Sequence, residues 1–561
     1  MRNNRSHVAL TLVAAALSAW LAATNTAMAA TDYNALEQAA IKGDKPSLAQ
    51  LLAAANAGDT NAQRYLGDYY ANNNQYDQSV QWYQKAANAG NAAAQNAMGD
   101  AYYYGQGETK DVNQAVAWYQ KAAQNGDPDG EFNLGYAYEQ GEGIGQDYDQ
   151  ALTWYEKASA DGNSAAENNI GNMYSKGRGV KQDYTQAFNW YSKSAQDGDD
   201  VGEFDLAEFY ENGEGTPQNY SQALTWYQKS ADQGYAASEN KVGDFYYYGY
   251  GVTADQTQAF KWYQKSANDG DPDGQFNTGY AYEHGEGVGQ DYTQAYNWYK
   301  KAADQEQAAA ENKIGDFYYY GHVVPEDYQQ AFSWYQKAAN DGDPAGQFNL
   351  GYAFEHGEGV SQDYDQAYNW YQKSANQGYA SAENKIGDFY YYGRSVTQDK
   401  QQAAQWYQKA ANDGDSEGQF NLGYAYEHGD GIGQDSTQAF NWYKKSADQA
   451  NPSGENAVGH CYDNGIGVDK DENQAFQWYL KAANDGNPTA QYNTGLCYEE
   501  GDGTQQDYTQ ALAWFHKAAD GGVADAAQEL SKMYSQGLGV QADQVQANYW
   551  SDQAKKLGNG N

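Results

Sequence analysis

Cysteine and basic residues are scarce in this chain. Of its 561 residues, two are Cys and 34 are Lys or Arg, against 75 Asp or Glu. Two cysteines cannot supply a disulfide framework or a conventional four-ligand zinc site. The net charge of −41 predicts repulsion from nucleic acid and from anionic membrane surfaces. We therefore expect neither kind of surface among the partners.

Long apolar runs are also rare, and the one example lies at the N-terminus. Arg2 and Arg5 precede an apolar run from Val8 to Ala23, and Ala27-Met28-Ala29 fits a small-x-small cleavage site. This pattern predicts a secretory signal peptide over residues 1–29. The alternative, a short membrane anchor, needs about 20 apolar residues and is less favoured. The mature chain is expected to be periplasmic or secreted, with no membrane insertion.

Aromatic residues are abundant, and their spacing reveals a repeat. Mean hydropathy is −0.95, which would suit disorder, but disordered chains are poor in aromatics and this one has 15%. Tryptophan recurs every 36 residues at fourteen positions: Trp82, Trp118, Trp154, Trp190, Trp226, Trp262, Trp298, Trp334, Trp370, Trp406, Trp442, Trp478, Trp514 and Trp550. Such a period indicates stacked repeats.

One repeat shows the expected local structure. Apolar and small residues have helical spacing in Ser238–Tyr248 and again in Gln258–Ala267. Gly249 and Gly251 mark a turn between these segments, and Gly270 ends the second. Each repeat is therefore predicted to be a helix pair, A then B. A single pair cannot bury its own apolar face, so neighbours must stack.

Small and bulky residues within the repeat predict how the two helices meet. Gly243 and Ala259 should let helices A and B approach closely, while Trp262 and Tyr263 supply bulk.

The pattern L-G-x-x-Y-x-x-G-x-G-V followed by A-x-x-W-Y-x-K-A-A-x-x-G resembles the Sel-1-like repeat family of the tetratricopeptide-like superfamily. The resemblance implies an all-α, right-handed superhelical solenoid of stacked antiparallel helix pairs that acts as a protein-interaction scaffold. It covers residues 61–556, as fourteen repeats. Residues 30–60 are expected to form an N-terminal helical cap, and residues 557–561 a frayed tail.

Several repeats depart from the pattern, and we expect the departures to be absorbed locally. In the first repeat, Asn72-Asn73-Asn74 stands in place of the glycine turn. The other exceptions replace the helix-A glycine (Ala207, Ser531), the second turn glycine (Val323, Ser395) and the glycine after helix B (Glu306, Ala450).

In the middle of the chain two repeat types alternate, so a period of 72 residues is superimposed on the 36-residue period. One helix-A position alternates between large and small: Phe245, Ala281, Phe317, Ala353, Phe389 and Ala425. Facing layers of a stacked core would need such alternation. Duplication of a two-repeat block also explains it.

In the resembled superfamily, helix A lines a concave groove, and this implies a set of groove residues here. One repeat type offers Asp244, Tyr247, Tyr248, Asp316, Tyr319, Tyr320, Asp388, Tyr391 and Tyr392; the other offers Tyr280, Glu283, His284, Tyr352, Glu355, His356, Tyr424, Glu427 and His428. Tyrosine gives contact area with few rotors, and carboxylates favour Lys or Arg. These residues are expected to face solvent and to bind a protein or peptide with basic residues; the alternative is an inert solvated face.

Motifs for other chemistry are weak. Histidines two repeats apart, such as His284 and His356, cannot converge on one metal ion. Asp269–Gly274 resembles the start of a calcium loop, but Tyr280 stands where the bidentate Glu is required, so helix capping explains it better. Ser238 and Lys241 have S-x-x-K spacing without partner motifs.

We therefore predict an exported, monomeric interaction scaffold with no catalytic residues, no metal and no cofactor. Two alternatives remain open. Some cysteine-rich relatives are β-lactam or cell-wall-glycan processing proteins, although their paired cysteines are absent here, and the chain could be a structural spacer. Cys461 and Cys497, at equivalent positions of adjacent repeats, are expected to stay unbridged, because packed helices lie about 8–10 Å apart.

Overall fold

The computed structural model describes residues 31–558. These residues form 30 helices and no strand, which confirms the all-α prediction. The predicted signal peptide and the last three residues lie outside the described part of the chain. Within the predicted tail, helix continues through Gly558.

Two helices precede the repeats, α1 (Tyr33–Ile41) and α2 (Lys45–Asn56). Fourteen helix pairs follow, and we number them repeats 1 to 14. The A helices are α3 (Thr60–Asn72), α5 (Ala92–Tyr104), α7 (Pro128–Gln140), α9 (Ser164–Lys176), α11 (Asp200–Asn212), α13 (Ala236–Tyr248), α15 (Pro272–His284), α17 (Ala308–Tyr320), α19 (Pro344–His356), α21 (Ala380–Tyr392), α23 (Ser416–His428), α25 (Pro452–Asn464), α27 (Pro488–Glu500) and α29 (Ala524–Gln536). The B helices are α4 (Tyr76–Asn88), α6 (Val112–Gln124), α8 (Tyr148–Ala160), α10 (Tyr184–Gln196), α12 (Tyr220–Asp232), α14 (Gln256–Asn268), α16 (Tyr292–Ala303), α18 (Tyr328–Asn340), α20 (Tyr364–Asn376), α22 (Lys400–Asn412), α24 (Ser436–Asp448), α26 (Glu472–Asn484), α28 (Tyr508–Asp520) and α30 (Gln544–Gly558).

The helices belong to two compact units. The first ends at Asp269 and contains repeats 1 to 6, and the second begins at Gly270 and contains repeats 7 to 14. Within each unit, every helix packs on its neighbours in sequence, as stacked pairs require. The core of a repeat is built from small helix-B alanines and one helix-B tyrosine, with an aliphatic residue from helix A.

Caps fix the ends of the helices. In repeat 8, Asp327 accepts hydrogen bonds from the backbone N–H groups of Gln329 and Gln330 at 3.0 Å, which starts α18. Gly321 ends α17 in the left-handed conformation. Both are standard ways to satisfy helix ends, and the same pair of caps recurs in most repeats.

In most repeats a helix-A glycine permits close approach, as predicted, and repeat 5 accommodates Ala207 in its place beside Tyr227. A Cβ placed on Gly243 would lie 2.5 Å from ring carbons of Tyr263, and one on Gly315 would lie 2.5 Å from the ring of Tyr335. The helix-B tyrosine therefore lies flat against the helix-A backbone.

The alternation of large and small residues at one helix-A position produces two kinds of contact between repeats, one with phenylalanine and one with alanine. All six members of the series from Phe245 to Ala425 are buried. In unit 2, the Tyr371 ring lies 5.4 Å from Phe348 of its own repeat and 5.9 Å from Phe389 of the next. After repeat 8, the corresponding residue is Ala353, and a cavity lies beside it.

The predicted departures in the turns do not change the sign of the backbone φ angle there. Asn74, Glu306, Val323, Ser395 and Ala450 all keep a positive φ, between 56° and 66°. The fold thus imposes on these residues the left-handed conformation that glycine adopts at little cost.

Candidate functional site

The Asp-Tyr-Tyr triplets of helix A each combine an anchored acid with an aromatic pair. Asp244, Asp316 and Asp388 accept hydrogen bonds from the hydroxyls of Tyr263, Tyr335 and Tyr407, the helix-B tyrosines of the same repeats, at 2.8, 2.9 and 2.8 Å. The two tyrosines of each triplet form edge-to-face pairs with centroids 4.9 to 5.0 Å apart: Tyr247–Tyr248, Tyr319–Tyr320 and Tyr391–Tyr392. The second tyrosine of each pair is about 60% exposed.

The Tyr-Glu-His triplets are held more firmly. Glu283, Glu355 and Glu427 accept hydrogen bonds from the hydroxyls of Tyr299, Tyr371 and Tyr443 at 2.6, 2.8 and 2.6 Å. His284, His356 and His428 stack on Tyr280, Tyr352 and Tyr424 with centroids 4.0 to 4.1 Å apart. In each stack, the imidazole Nδ1 lies 3.0 Å from the carbonyl oxygen of the tyrosine.

Two glutamates of these triplets, Glu283 and Glu355, also pair with cations of the next repeat. Lys313 lies 3.1 Å from Glu283, and Glu355 has two partners, Lys385 at 3.4 Å and Arg394 at 3.3 Å. The expectation that the groove carboxylates face solvent is wrong for Glu355, which is 6% exposed. Its carboxylate joins two repeats of the same chain, which the spacing of single residues could not reveal.

Four predicted groove residues come together at one cavity in unit 2. The cavity lies between repeats 8 and 9 and has a volume of about 250 Å³. Asp316, Tyr319 and Tyr320 of α17 line it together with Tyr352 of α19. The other lining residues, which the sequence did not single out for binding, are Tyr328, Ala331, Phe332, Tyr335, Phe348, Asn349, Ala353 and Glu358.

The polar groups of this cavity are acidic. Burial raises the pKa of Asp316 to about 6, although the hydrogen bond from Tyr335 opposes that rise. Burial and the neighbouring Glu358 carboxylate raise the pKa of Tyr319 well above its usual range. The Oε2 atom of Glu358 is buried, and the carboxylate faces the Tyr319 hydroxyl. The cavity therefore offers aromatic walls and negative charge to an incoming group.

An equivalent cavity of about 200 Å³ lies between repeats 2 and 3 in unit 1. Tyr103, Tyr104, Tyr136 and Ala137 line it, and the Tyr103 hydroxyl donates to Glu142 at 2.8 Å. Sequence reasoning missed this region, because it searched only the central repeats. The available signal is alanine at the alternating position, since Ala137 and Ala353 both border cavities.

Other motifs serve the fold. Asp271 accepts a hydrogen bond from the backbone N–H of Gly274 at 2.7 Å, so it caps α15, as predicted. Ser238 is fully buried and its hydroxyl donates to Ser230 at 2.6 Å, so it is not an exposed nucleophile. Over residues 31–558, no three His, Cys, Asp or Glu side chains converge to hold a metal. Cys461 and Cys497 are free and buried.

A model of the Sel1 repeat matches fourteen consecutive segments of the chain, from residues 60–91 to residues 524–559. The chain belongs to the Sel1 repeat family. Proteins of this family are typically non-catalytic interaction scaffolds built from tetratricopeptide-like helix pairs, which is the architecture described above.

A solved structure of a similar protein supports the same fold. A protective antigen from uropathogenic Escherichia coli that displays the Sel1-like repeat fold is 34% identical, with a TM-score of 0.58 over 83% of this chain and 98% of that one. A Sel1 repeat protein from Oxalobacter formigenes is 32% identical over 56% of this chain and 90% of that one, with a TM-score of 0.40. None of the curated proteins matches this chain. Among the helices described here, none is both long enough and apolar enough to cross a membrane.

Proposed function

We propose that this Sel1 repeat protein is an exported scaffold that binds a protein or peptide with basic residues along its helix-A surface. The observation that carries the proposal is the cavity between repeats 8 and 9, where Asp316, Tyr319, Tyr320 and Tyr352 meet. Aromatic walls pack against the aliphatic parts of Lys and Arg side chains and attract their cationic groups through cation–π contacts. Carboxylates attract the same positive charge. The protein is proposed to act as a monomer without catalysis, cofactor or metal.

The Tyr-Glu-His triplets take a different part in this proposal. Glu283 and Glu355 already pair with Lys313, Lys385 and Arg394, so these two glutamates hold the repeats in register. The exposed tyrosines Tyr320 and Tyr392, at 62% and 60% exposure, are the residues proposed to meet the partner.

Export is proposed from the N-terminal sequence. The positive residues, apolar run and Ala27-Met28-Ala29 site support a cleaved signal peptide and a periplasmic or secreted mature chain.

The binding proposal can be tested with a library of peptides of fixed length and varied sequence, displayed against the purified mature protein. We expect selected peptides to be enriched in Lys and Arg, and their association to slow as salt rises. Replacing Tyr319, Tyr320 and Tyr352 with Ala should weaken binding at least tenfold, since aromatic anchors often carry about 2 kcal/mol each.

Tyr549→Ala is the matched control, because Tyr549 is 51% exposed in the last helix, far in sequence from the cavity. Enrichment of acidic or neutral peptides, or equal losses in the control and the triple variant, would reject the proposed surface.

A further inference from the structure

The cavity between repeats 8 and 9 has a counterpart in the same unit, 72 residues further along the chain. There, between repeats 10 and 11, the Tyr391 hydroxyl donates a hydrogen bond to Asp430 at 2.9 Å. Tyr391 corresponds to Tyr319, and Asp430 corresponds to Glu358. The same tyrosine–carboxylate pair therefore stands at both places.

The counterpart contains a lysine from the chain itself. The Lys400 ammonium lies 2.9 Å from the Asp430 carboxylate and 5.1 Å from the centre of the Tyr391 ring. Both contacts are of the kind that hold a cation, an ion pair and a cation–π contact. Lys400 is thus an internal example of what this arrangement of tyrosine and carboxylate accepts.

A related contact occurs in unit 1. The Tyr103 hydroxyl donates to Glu142 at 2.8 Å, and the Lys110 ammonium lies 5.6 Å from the centre of the Tyr103 ring. Lys110 comes from the turn before helix B, whereas Lys400 begins helix B. Two different positions therefore bring an ammonium to equivalent tyrosines.

Repeat 8 has neither lysine. The position of Lys400 is occupied by Tyr328, whose ring lies 5.3 Å from Tyr319, and the position of Lys110 is occupied by Glu326. The carboxylate of Glu358 is present and faces the Tyr319 hydroxyl. This site keeps the tyrosine and the carboxylate, and Glu326 adds one more acid beside the Tyr328 hydroxyl.

We propose that the cavity between repeats 8 and 9 binds one lysine side chain of the partner. The lysine ammonium pairs with the Glu358 carboxylate, and the lysine methylenes pack against Tyr319, Tyr320 and Tyr352. This inference deepens the proposed function and rests on it. It also assigns the Tyr/Lys difference between positions 328 and 400 a role: Lys400 occupies the carboxylate of its own site, and Tyr328 leaves Glu358 to the partner.

The test uses the full mature protein and a fluorescein-labelled twelve-residue peptide of Gly and Ser with one central Lys. Matched peptides carry acetyl-lysine or norleucine in its place. Fluorescence anisotropy should show binding of the lysine peptide and at least tenfold weaker binding of both neutral peptides. Equal affinity for all three peptides, or no binding of the lysine peptide, would overturn the proposal.

Two substitutions exchange the residues that distinguish the site at Glu358 from the site at Asp430. Tyr328→Lys should place an ammonium on Glu358 and weaken peptide binding at least tenfold. Tyr549→Lys is its control, because it makes the same change at a 51% exposed residue of the last helix that does not line the cavity, and it should bind within about threefold of the unmodified protein. Lys400→Tyr should open the second site and raise the peptide stoichiometry by one.

These variants separate the lysine site from the general proposal. Melting curves establish that each variant is folded before binding is measured. If library-selected basic peptides bind and lose affinity in the Tyr319/Tyr320/Tyr352 variant, but Tyr328→Lys binds the lysine peptide like the unmodified protein, the scaffold function stands and the lysine site is rejected. If Tyr328→Lys alone loses binding and its crystal structure shows the new Nζ on Glu358, the site is established.

Discussion

At the residue scale, the repeat is governed by one glycine and one tyrosine. The helix-A glycine has no Cβ, so the helix-B ring can lie on its backbone. Repeat 14 shows what happens when this pair changes: Ser531 replaces the glycine and Ser551 replaces the tyrosine. The Ser531 hydroxyl then donates to the carbonyl oxygen of Ala547 at 2.8 Å.

Gly315→Ala is expected to destabilise unit 2. Its Cβ would lie 2.5 Å from the Tyr335 ring, and overpacking of this kind costs about 1–3 kcal/mol. Urea unfolding followed by circular dichroism measures the change in the free energy of unfolding. Gly289→Ala is the control, because its Cβ would meet no atom within 4 Å. Equal stability of the two variants would contradict the packing account.

Val323→Gly is expected to stabilise the same unit by about 1 kcal/mol. Val323 has a φ of 66°, and a β-branched residue pays for the left-handed conformation. Glycine removes that cost, although its flexible unfolded state offsets part of the gain. The melting temperature should rise. A control replacement, Val323→Ala, keeps a Cβ and should gain less stability. A lower melting temperature for the glycine variant would contradict the claim that Val323 is strained.

At the element scale, the A helices carry two sets of acids with different duties. In the Asp-Tyr-Tyr helices, burial raises the pKa of Asp316 and of Asp388 to about 6. In the Tyr-Glu-His helices, the glutamates bridge to cations of the next repeat. Asp316 of the first set borders a cavity, and Glu283 and Glu355 of the second set join repeats.

Asp316→Asn is expected to change the pH dependence of stability. The native carboxyl has a pKa of about 6, above the ordinary unfolded value, so the native state binds its proton more tightly. The aspartate therefore favours folding at low pH, and this contribution is lost as pH rises from about 4 to 6, by about 1–3 kcal/mol. Unfolding free energies of both proteins at several pH values measure the difference.

Asp430→Asn is the control with the opposite sign. Its hydrogen bond with Lys400 lowers the pKa of Asp430, so that carboxylate stabilises the fold at neutral pH and less so as pH falls. If the unfolding free energies of the two variants changed with pH in the same direction, burial would not be what sets the pKa of Asp316.

Cys461 and Cys497, on α25 and α27, are expected to remain thiols even in an oxidising compartment. Both are buried, and burial raises the pKa of each thiol to about 12. A thiol with so little thiolate at neutral pH is a poor nucleophile for disulfide exchange. Intact-mass measurement without reductant should give the mass of the reduced chain. A mass lower by two hydrogens would show that the helices can bring the sulfurs together.

At the scale of the whole molecule, some acidic residues are built into the stack. Glu131, Glu239 and Glu383 are fully buried and pair with Lys157, Lys265 and Lys409 of helix B at 2.7 to 2.8 Å. Each such pair is neutral, so the net charge of −41 comes from the other acids of the chain.

The exported protein is expected to begin at Ala30 or Thr31, because Ala27-Met28-Ala29 places the cleavage there. N-terminal sequencing of protein recovered outside the cytoplasm tests this. A sequence that still begins with Met1 would refute cleavage and, with it, this route of export.

The sequence by itself determined the repeat number, the helix pairs and the family, because a period of 36 residues with fixed glycines and tryptophans allows one local structure per unit. It also placed Asp316, Tyr319, Tyr320 and Tyr352 on one surface. Only the tertiary structure decided which acids are committed to the chain itself. Glu355 lies at the same helix position as Glu283, yet it is buried between Lys385 and Arg394 of the next repeat. Likewise, Ala353 borders a cavity beside Tyr335, whereas Phe389 at the equivalent position packs on Tyr371. These contacts join side chains of different repeats, and no pattern within one repeat contains them.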